Sequence, residues 1–143
     1  MPELKKFGAS LEVGFPNGVL PERFLPFRGR CTRAIDACPD FPFENAQFEA
    51  VIMDGAAVSR ESVKEAHRVL KPQGWLFFTV PEKTRGQDGF TLSDVYAIVR
   101  EGYNIVEAIR PAWWHFGRLG RTITIRAQKK NWRNHTNTYR PYV

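Results

Sequence analysis

The chain has 143 residues, of which 43% are hydrophobic and 25% charged, a composition typical of one globular domain with a core of its own. No apolar run approaches the roughly 20 residues of a membrane span, and the start of the chain lacks the apolar region of a signal peptide. We therefore expect a cytoplasmic protein without a membrane partner. Cys31 and Cys38 have no usual zinc spacing and predict neither a metal site nor a cytosolic disulfide.

The net charge of +6 is concentrated towards the C-terminal end. Residues 110–143 contain eight Lys and Arg and no acidic residue, whereas the other 109 residues contain 13 basic and 15 acidic ones. The last part, residues 128–143, also carries Trp132, Tyr139 and Tyr142, and basic residues with aromatics suit phosphate and base contacts. Residues 110–143 are therefore a candidate nucleic-acid partner site. The tail equally suits an arm that packs on a second subunit, or a disordered segment.

The first predicted element is a short strand over residues 10–13 that runs into a turn containing Gly14, Pro16 and Gly18. Glycine lets the backbone approach a ligand closely with its N–H groups directed at it, whereas proline removes a donor and fixes φ. The segment is therefore either a degenerate ligand loop or a tight turn after a strand.

A short linking region and a second strand come next. Pro21 and Pro26 leave room for at most one or two turns of helix between residues 19 and 29. Residues 30–37 then alternate in the manner of a strand that ends at Asp36 and Ala37. The Asp36 carboxylate could accept hydrogen bonds from an amine or a diol, or it could begin a turn before Pro39.

The stretch from Gln47 to Glu82 predicts strand, helix, strand. The two strands are the apolar runs 48–53 and 75–80, as expected for strands buried on both faces. Ser59 or Ser62 caps the intervening helix, which ends within residues 71–74, where Gly74 can take a positive φ. One face of this helix has four residues at helical spacing: Val63, Ala66, His67 and Leu70. We expect His67 there to be a satisfied structural residue.

Such a unit forms a right-handed parallel crossover, and parallel sheets need helices on both faces. Ligands bind such sheets at the carboxyl ends of the strands, here around Asp54 and Glu82. A helix over residues 92–99, begun at Thr91 and ended by Gly102, and two alternating strands over residues 103–110 and 121–126 predict an antiparallel edge. The loop between these strands, which includes Trp113, Trp114 and His115, either faces a flat substrate or plugs the sheet end or a dimer interface.

The residues Phe48-Glu49-Ala50-Val51-Ile52, followed by Glu65-Ala66-His67-Arg68-Val69-Leu70-Lys71-Pro72-Gln73-Gly74-Trp75-Leu76, resemble the central part of the S-adenosylmethionine-dependent methyltransferases with a Rossmann-like fold. Glu49 replaces the usual Asp of that family, and Gln73 replaces the first Gly. The resemblance runs from about Asp36 to Ala127, with a weaker similarity at residues 11–18. It implies one α/β domain over residues 1–127, followed by a tail over 128–143. The sheet is expected to be mostly parallel with an antiparallel C-terminal edge and to be shortened in its N-terminal half.

The resemblance also implies a cofactor site for S-adenosylmethionine. Gly14 and Gly18 would lie in the loop that wraps the cofactor, although Pro16 stands where the middle glycine is usual. Asp36 and Ala37 would contact the adenine ring if one crossover unit has been deleted; if instead Asp36 ends the second strand, it is itself the ribose-binding acid. Met53 and Asp54, at the end of the next strand, complete the expected site, and Asp54 could orient a substrate or cap a loop.

Two functions follow from these observations. The first is a small S-adenosylmethionine-dependent methyltransferase whose substrate and catalytic residues the sequence does not specify. The alternative is a catalytically inactive remnant of the fold that acts as a self-association, partner-binding or nucleic-acid-binding module, as Pro16 and the missing crossover suggest. A sheet that lacks strands leaves an edge to be covered, and a homodimer through that edge or through the tail is one remedy.

Overall fold

The structure, a computed structural model, describes residues 7–15, 19–109 and 121–130. Within these ranges the chain forms strands, two α-helices and two short 3₁₀ helices. The strands are β1 (Ala9–Val13), β2 (Cys31–Ile35), β3 (Phe48–Met53), β4 (Leu70–Pro81), β5 (Tyr103–Ile109) and β6 (Thr122–Lys129). The α-helices are α1 (Arg60–Val69) and α2 (Leu92–Val99), and the 3₁₀ helices span Glu22–Phe27 and Gly55–Ala57. In the part of the chain that is described, no helix has the length and apolar character needed to cross a membrane.

The strands form a single sheet in the order β2-β1-β3-β4-β6-β5. Strands β1 to β4 are parallel, and β6 is antiparallel to both of its neighbours, β4 and β5. This topology confirms the predicted fold class, a mostly parallel sheet with an antiparallel C-terminal edge. Strand β2 lies beside β1, with Ile35 opposite Val13, so Asp36 directly follows the second strand. Of the two alternatives for Asp36, this position agrees with a residue that ends the second strand.

The crossover β3-α1-β4 follows the prediction, with local differences at the end of α1 and the start of β4. Ser59 is the N-cap: its Oγ accepts a hydrogen bond from the Ser62 N–H at 3.1 Å, and the Ser62 Oγ accepts one from the Ser59 N–H at 2.9 Å. The helix ends at Val69, earlier than expected, and the positive φ of 67° belongs to Gln73 instead of Gly74. Gly74 is needed for a different reason, because a Cβ there would lie 2.9 Å from the carbonyl oxygen of Lys71.

One face of the sheet, called the helical face below, is covered by α1 and α2. Alternate residues of the strands point to it, and Tyr103 at the start of β5 donates a hydrogen bond from its hydroxyl to the Val63 carbonyl of α1 at 3.0 Å. The main core lies on this side and contains the strand residues Leu11, Val13, Val51, Met53, Leu76, Phe78, Val80, Ile123, Ile125 and Ala127.

The opposite face has no α-helix among the described residues. At its centre the 3₁₀ helix Glu22–Phe27 covers the sheet, and the ring of Phe27 stacks on that of Phe77 with centroids 4.1 Å apart. Towards the C-terminal edge this face becomes polar, because β6 directs Thr124, Arg126 and Gln128 to it while its alternate residues are buried. In the described part, helices therefore lie on both faces over the parallel strands, but the opposite face has only the 3₁₀ helix. The antiparallel strand β6 has one polar side and needs cover on the other side only.

A buried ion pair fastens the 3₁₀ segment to the sheet. Glu12 of β1 points to the opposite face and is only 2% exposed. Arg28, directly after the 3₁₀ helix, donates from Nε to Glu12 Oε2 at 2.6 Å and from Nη2 to Oε1 at 3.0 Å. Because the two hydrogen bonds are parallel and charged, they fix the position of the segment as well as neutralising the buried carboxylate.

His67 occupies the predicted place on the inner side of α1, with its ring edge-on to Tyr103 at a centroid distance of 5.4 Å. Its Nε2 is buried against Gly102, where an added Cβ would lie 2.8 Å away. The Gly102 backbone interacts with the ring and acts to raise its pKa, but no described residue forms a hydrogen bond of full geometry with Nε2, so the satisfied histidine stays a prediction. Burial, and secondarily the positive charge of Lys129, lower the pKa of His67 to about 4.

Breaking the buried ion pair should destabilise the protein far more than breaking an exposed one. We expect Arg28→Met to lower the free energy of unfolding by about 3 kcal/mol, because it leaves the Glu12 carboxylate buried without its charged partner. The control, Lys71→Met, removes the exposed pair between Lys71 Nζ and Glu49 Oε2 at 3.8 Å and should cost less than about 1 kcal/mol. Urea denaturation measures both, and equal losses would contradict the assigned importance of the buried pair.

The lowered pKa of His67 predicts a dependence of stability on pH. As pH falls from 6.5 towards 4, the unfolded chain binds the proton before the folded protein does, so the unfolding free energy should fall. The contribution of this group is at most about 3 kcal/mol. In His67→Gln, urea denaturation at pH 7 and at about pH 4.5 should show a smaller difference than in the wild type. The same difference in both proteins would refute the assignment.

Candidate functional site

The carboxyl ends of β1, β2 and β3 lie side by side at one edge of the sheet. Val13 is paired with both Ile35 and Met53. Beyond these pairs, the Gly14 N–H donates to the Ile35 carbonyl at 2.9 Å, and the Asp54 N–H donates to the Val13 carbonyl at 2.9 Å. Three of the residues predicted from the sequence, Gly14, Asp36 and Asp54, therefore begin the loops that leave adjacent strands. This region is called the strand-end site below.

Gly14 is the residue at this edge whose backbone requires glycine. Its φ is +85°, a conformation that other residues rarely adopt. An added Cβ would also lie 3.1 Å from the Cβ of Ala57 and 3.4 Å from that of Asp54. The N–H of Gly14 is already bonded to Ile35, so Gly14 acts by turning the chain over the strand ends instead of donating to a ligand. Gly18, with Pro16, lies outside the described residues.

Asp36 and Ala37 are both exposed at the end of β2. Within the described part of the chain, the Asp36 carboxylate makes no hydrogen bond or ion pair, so its oxygens are available to a ligand. Ala37 has no polar side-chain atom, and it can contribute only its backbone and a methyl group. This pair therefore offers one free acceptor group at the edge where ligands of parallel sheets bind.

Met53 and Asp54 differ in what they can offer to a ligand. The Met53 side chain is fully buried in the core of the helical face, so only its backbone could contact a cofactor. Asp54 is half-buried, and its Oδ2 accepts a hydrogen bond from the Ala56 N–H at 3.3 Å, which caps the 3₁₀ helix Gly55–Ala57. Of the two roles considered for Asp54, the structure therefore contains the loop cap.

Two further residues, Gly55 and Glu82, belong to the strand ends around which the sequence predicts ligand binding, although no contact with the cofactor was predicted for them. Gly55 lies so close to β4 that an added Cβ would be 2.4 Å from the carbonyl oxygen of Thr79, which brings the turn after β3 against the end of β4. Glu82, directly after β4, is only 8% exposed, an unusual burial for a carboxylate. The available signal was an acidic residue directly after a continuous apolar strand.

The basic C-terminal segment is only partly described, and the loop containing Trp113, Trp114 and His115 lies outside the described residues. Strand β6 extends to Lys129, so it includes the first two residues of the predicted tail. Of the eight basic residues in 110–143, the four within the described ranges all have partners inside the protein: Arg121, Arg126, Lys129 and Lys130. Because these four residues already have partners inside the protein, they do not support a nucleic-acid interface, which stays a prediction.

No protein-family model matches the sequence, and comparison with curated proteins also finds no match. Solved structures, in contrast, share the fold. The N-methyltransferase NodS from Bradyrhizobium japonicum, in complex with S-adenosyl-L-homocysteine, is 16% identical with a TM-score of 0.65, covering 87% of this chain and 79% of that chain. A SAM-dependent methyltransferase from Methanosarcina mazei is 13% identical with a TM-score of 0.64, covering 89% of this chain and 94% of that chain. The [4+2]-cyclase SpnF is 14% identical with a TM-score of 0.64, covering 89% and 76%.

The TM-scores of 0.64 and 0.65 show a shared fold, but identities of only 13–16% leave the reaction open. The presence of a cyclase beside methyltransferases illustrates this point. The resemblance noted in the β3-α1-β4 region is confirmed by the whole topology: the chain has the Rossmann-like fold of S-adenosylmethionine-dependent methyltransferases.

Proposed function

We propose that the protein binds S-adenosylmethionine at the strand-end site and transfers its methyl group to an acceptor. One observation carries this proposal: the left-handed Gly14 turn and the unpaired Asp36 carboxylate lie together at the ends of two adjacent parallel strands. A fold neighbour, NodS, holds the demethylated product S-adenosyl-L-homocysteine. That neighbour supports the choice of ligand, and the exposed carboxylate supports the choice of place.

The residues at the site fit this ligand in specific ways. The Asp36 carboxylate has two oxygens that accept hydrogen bonds, which matches the two hydroxyl groups of a ribose. Gly14 leaves the strand ends free of a side chain, because any Cβ there would fill the space against Ala57 and Asp54. Met53 contributes its backbone alone. The cap formed by Asp54 holds the neighbouring turn in place, so Asp54 positions the site without contacting the ligand.

Methyl transfer makes modest chemical demands on the protein. Bound S-adenosylmethionine supplies a methyl group on a sulfonium: a lone pair of the acceptor forms the new bond to carbon, the carbon–sulfur electron pair returns to sulfur, and any proton on the acceptor leaves to water. The protein contributes mainly by holding the two molecules in line and close together. A site built from a turn and one carboxylate is therefore compatible with the reaction, without a dedicated acid or base.

Calorimetric titration with S-adenosylmethionine and with S-adenosyl-L-homocysteine tests this function. We expect micromolar binding of both, and a loss of at least about tenfold in Asp36→Ala, equivalent to about 1.4 kcal/mol, because hydrogen bonds to a charged group are lost. Glu44→Ala, which removes an exposed carboxylate from the loop before β3, at the opposite edge of the sheet, should bind as the wild type does. No heat and no thermal shift at millimolar ligand would refute the function. Unchanged affinity in Asp36→Ala would refute the role of that residue.

A second candidate function, an interaction module, is favoured by the exposed edge strand β2. Residues Cys31 to Ala34 are all exposed, and no other described strand pairs with the free side of β2. A dimer through this edge would need a register that does not place the Arg33 side chains of the two copies opposite each other, because like charges in that position repel. A protein that binds neither ligand yet sediments as a dimer would support this candidate.

A further inference from the structure

A groove crosses the opposite face of the sheet between the 3₁₀ helix Glu22–Phe27 and strands β5 and β6. The helix covers the centre of the sheet at Phe77 but ends short of β6, and the uncovered space has a volume of about 310 Å³. This volume lies at the lower end of the range of small-molecule sites. The lining includes Phe27 from the helix, Ile109 from β5 and Thr124 from β6.

One wall of the groove is a fixed guanidinium group. Arg126 lies over the rings of Phe27, at 5.3 Å, and Trp75, at 5.8 Å. Its Nη1 donates to Glu107 Oε1 at 2.7 Å, which holds the group in one plane. The Nε of Arg126 is buried and has no hydrogen-bond partner among the described residues. The Arg126 side chain as a whole is 37% exposed, so the part of it away from the buried Nε is open to the groove. Because this planar cation is already held in place, it can bind a flat, acceptor-bearing molecule with little loss of conformational entropy.

The other wall carries a second positive charge and two hydroxyl groups. Exposed Arg23 lies over the ring of Phe24 and donates from Nε to Thr79 Oγ1 at 3.2 Å. The hydroxyls of Thr79 and Thr124 are 2.8 Å apart. The groove thus contains two guanidinium groups and one carboxylate, and that carboxylate, Glu107, is paired with Arg126. The excess positive charge belongs to Arg23, which among the described residues contacts the neutral hydroxyl of Thr79 and the ring of Phe24 and no carboxylate, so the groove favours an anion.

The groove adjoins the strand-end site through Thr79. The Thr79 side chain faces the groove, while its carbonyl oxygen lies against Gly55, the residue after Asp54. One residue of β4 therefore contacts the groove with its side chain and the turn after β3 with its backbone. A molecule in the groove would lie next to the edge that we assign to the methyl donor.

We propose that this groove binds the methyl acceptor, and that the acceptor is a planar aromatic molecule bearing a carboxylate. The ring stacks with Phe27 and Arg126, the exposed Ile109 contributes apolar contact, and Arg23 binds the carboxylate. A hydroxyl or amine elsewhere on the ring supplies the lone pair that accepts the methyl group. This inference rests on the proposed function and adds to it the class of substrate and the place where the substrate binds.

Binding of three matched probes tests the groove without requiring activity. The probes are 2-naphthoate, its neutral analogue 2-naphthamide, and adamantane-1-carboxylate, an anion of similar bulk without a π face. Nuclear magnetic resonance titration of the labelled full chain should show naphthoate binding at least about fivefold more tightly than either other probe, because charge and stacking both contribute. The largest shifts should fall on the amides of Ile109, Thr124 and Arg126.

Variants separate the groove from non-specific binding. Arg23→Gln should weaken naphthoate about fivefold and leave naphthamide unchanged, since Arg23 is exposed and its loss should not affect folding. Arg30→Gln, which removes an exposed cation elsewhere, should leave both affinities unchanged. Equal binding of naphthoate and naphthamide, shifts confined to the helical face, or equal effects of the two variants would overturn the proposal.

Titration with S-adenosyl-L-homocysteine in parallel distinguishes failure of this inference from failure of the proposed function. Binding of S-adenosyl-L-homocysteine without naphthoate binding at millimolar concentration overturns the groove assignment alone. Naphthoate binding without S-adenosyl-L-homocysteine binding overturns the methyl-acceptor role together with the proposed function. Binding of both, with naphthoate shifts at the groove, supports the two together.

Discussion

Strands β3 and β4 have apolar side chains on both sides, so the centre of the sheet must be covered on both faces. Ile52 and Phe77 on the opposite face are each at most 1% exposed, and burial of side chains of this size contributes about 1.5–3 kcal/mol each. On the helical face α1 and α2 provide the cover. On the opposite face the 3₁₀ helix Glu22–Phe27 provides the cover, and a segment this short is not stable by itself. The bidentate pair between Arg28 and Glu12 is therefore important because it holds this segment in place.

The order and type of the elements were predictable because the local signals agreed with the long-range ones. The apolar run at 48–53, the serine cap before α1 and the alternation at 121–126 each specify one element, and the structure contains all three. What the sequence could not show was which face of the sheet would lack α-helices. That depends on the register of β6 against β4, which directs Arg126 and not Ile125 to the opposite face, and register follows from pairing between distant segments.

The places of the predicted residues in the fold could be anticipated from the sequence, whereas their role as a cofactor site stays a proposal. Parallel strands end at one edge, so Gly14, Asp36 and Asp54 were expected to meet there, and they do. The roles of individual side chains depend on burial, which a single sequence does not define: Met53 turned inwards, and Asp54 became a cap. The same limit applies to His67, whose surroundings include the backbone of Gly102, a residue 35 positions away in the chain.

The position of β6 between β4 and β5 has a consequence for how the protein is made. Within the described sheet β5 pairs with β6 alone, so residues 103–109 have no strand partner until residues 122–129 have been synthesised. During translation the parallel half can assemble first, while β4 presents an unpaired side and β5 remains without a ladder. Strand β6, the last of the described strands to be synthesised, therefore completes two ladders at once, and its loss in a nascent or truncated chain would expose two edges to aggregation.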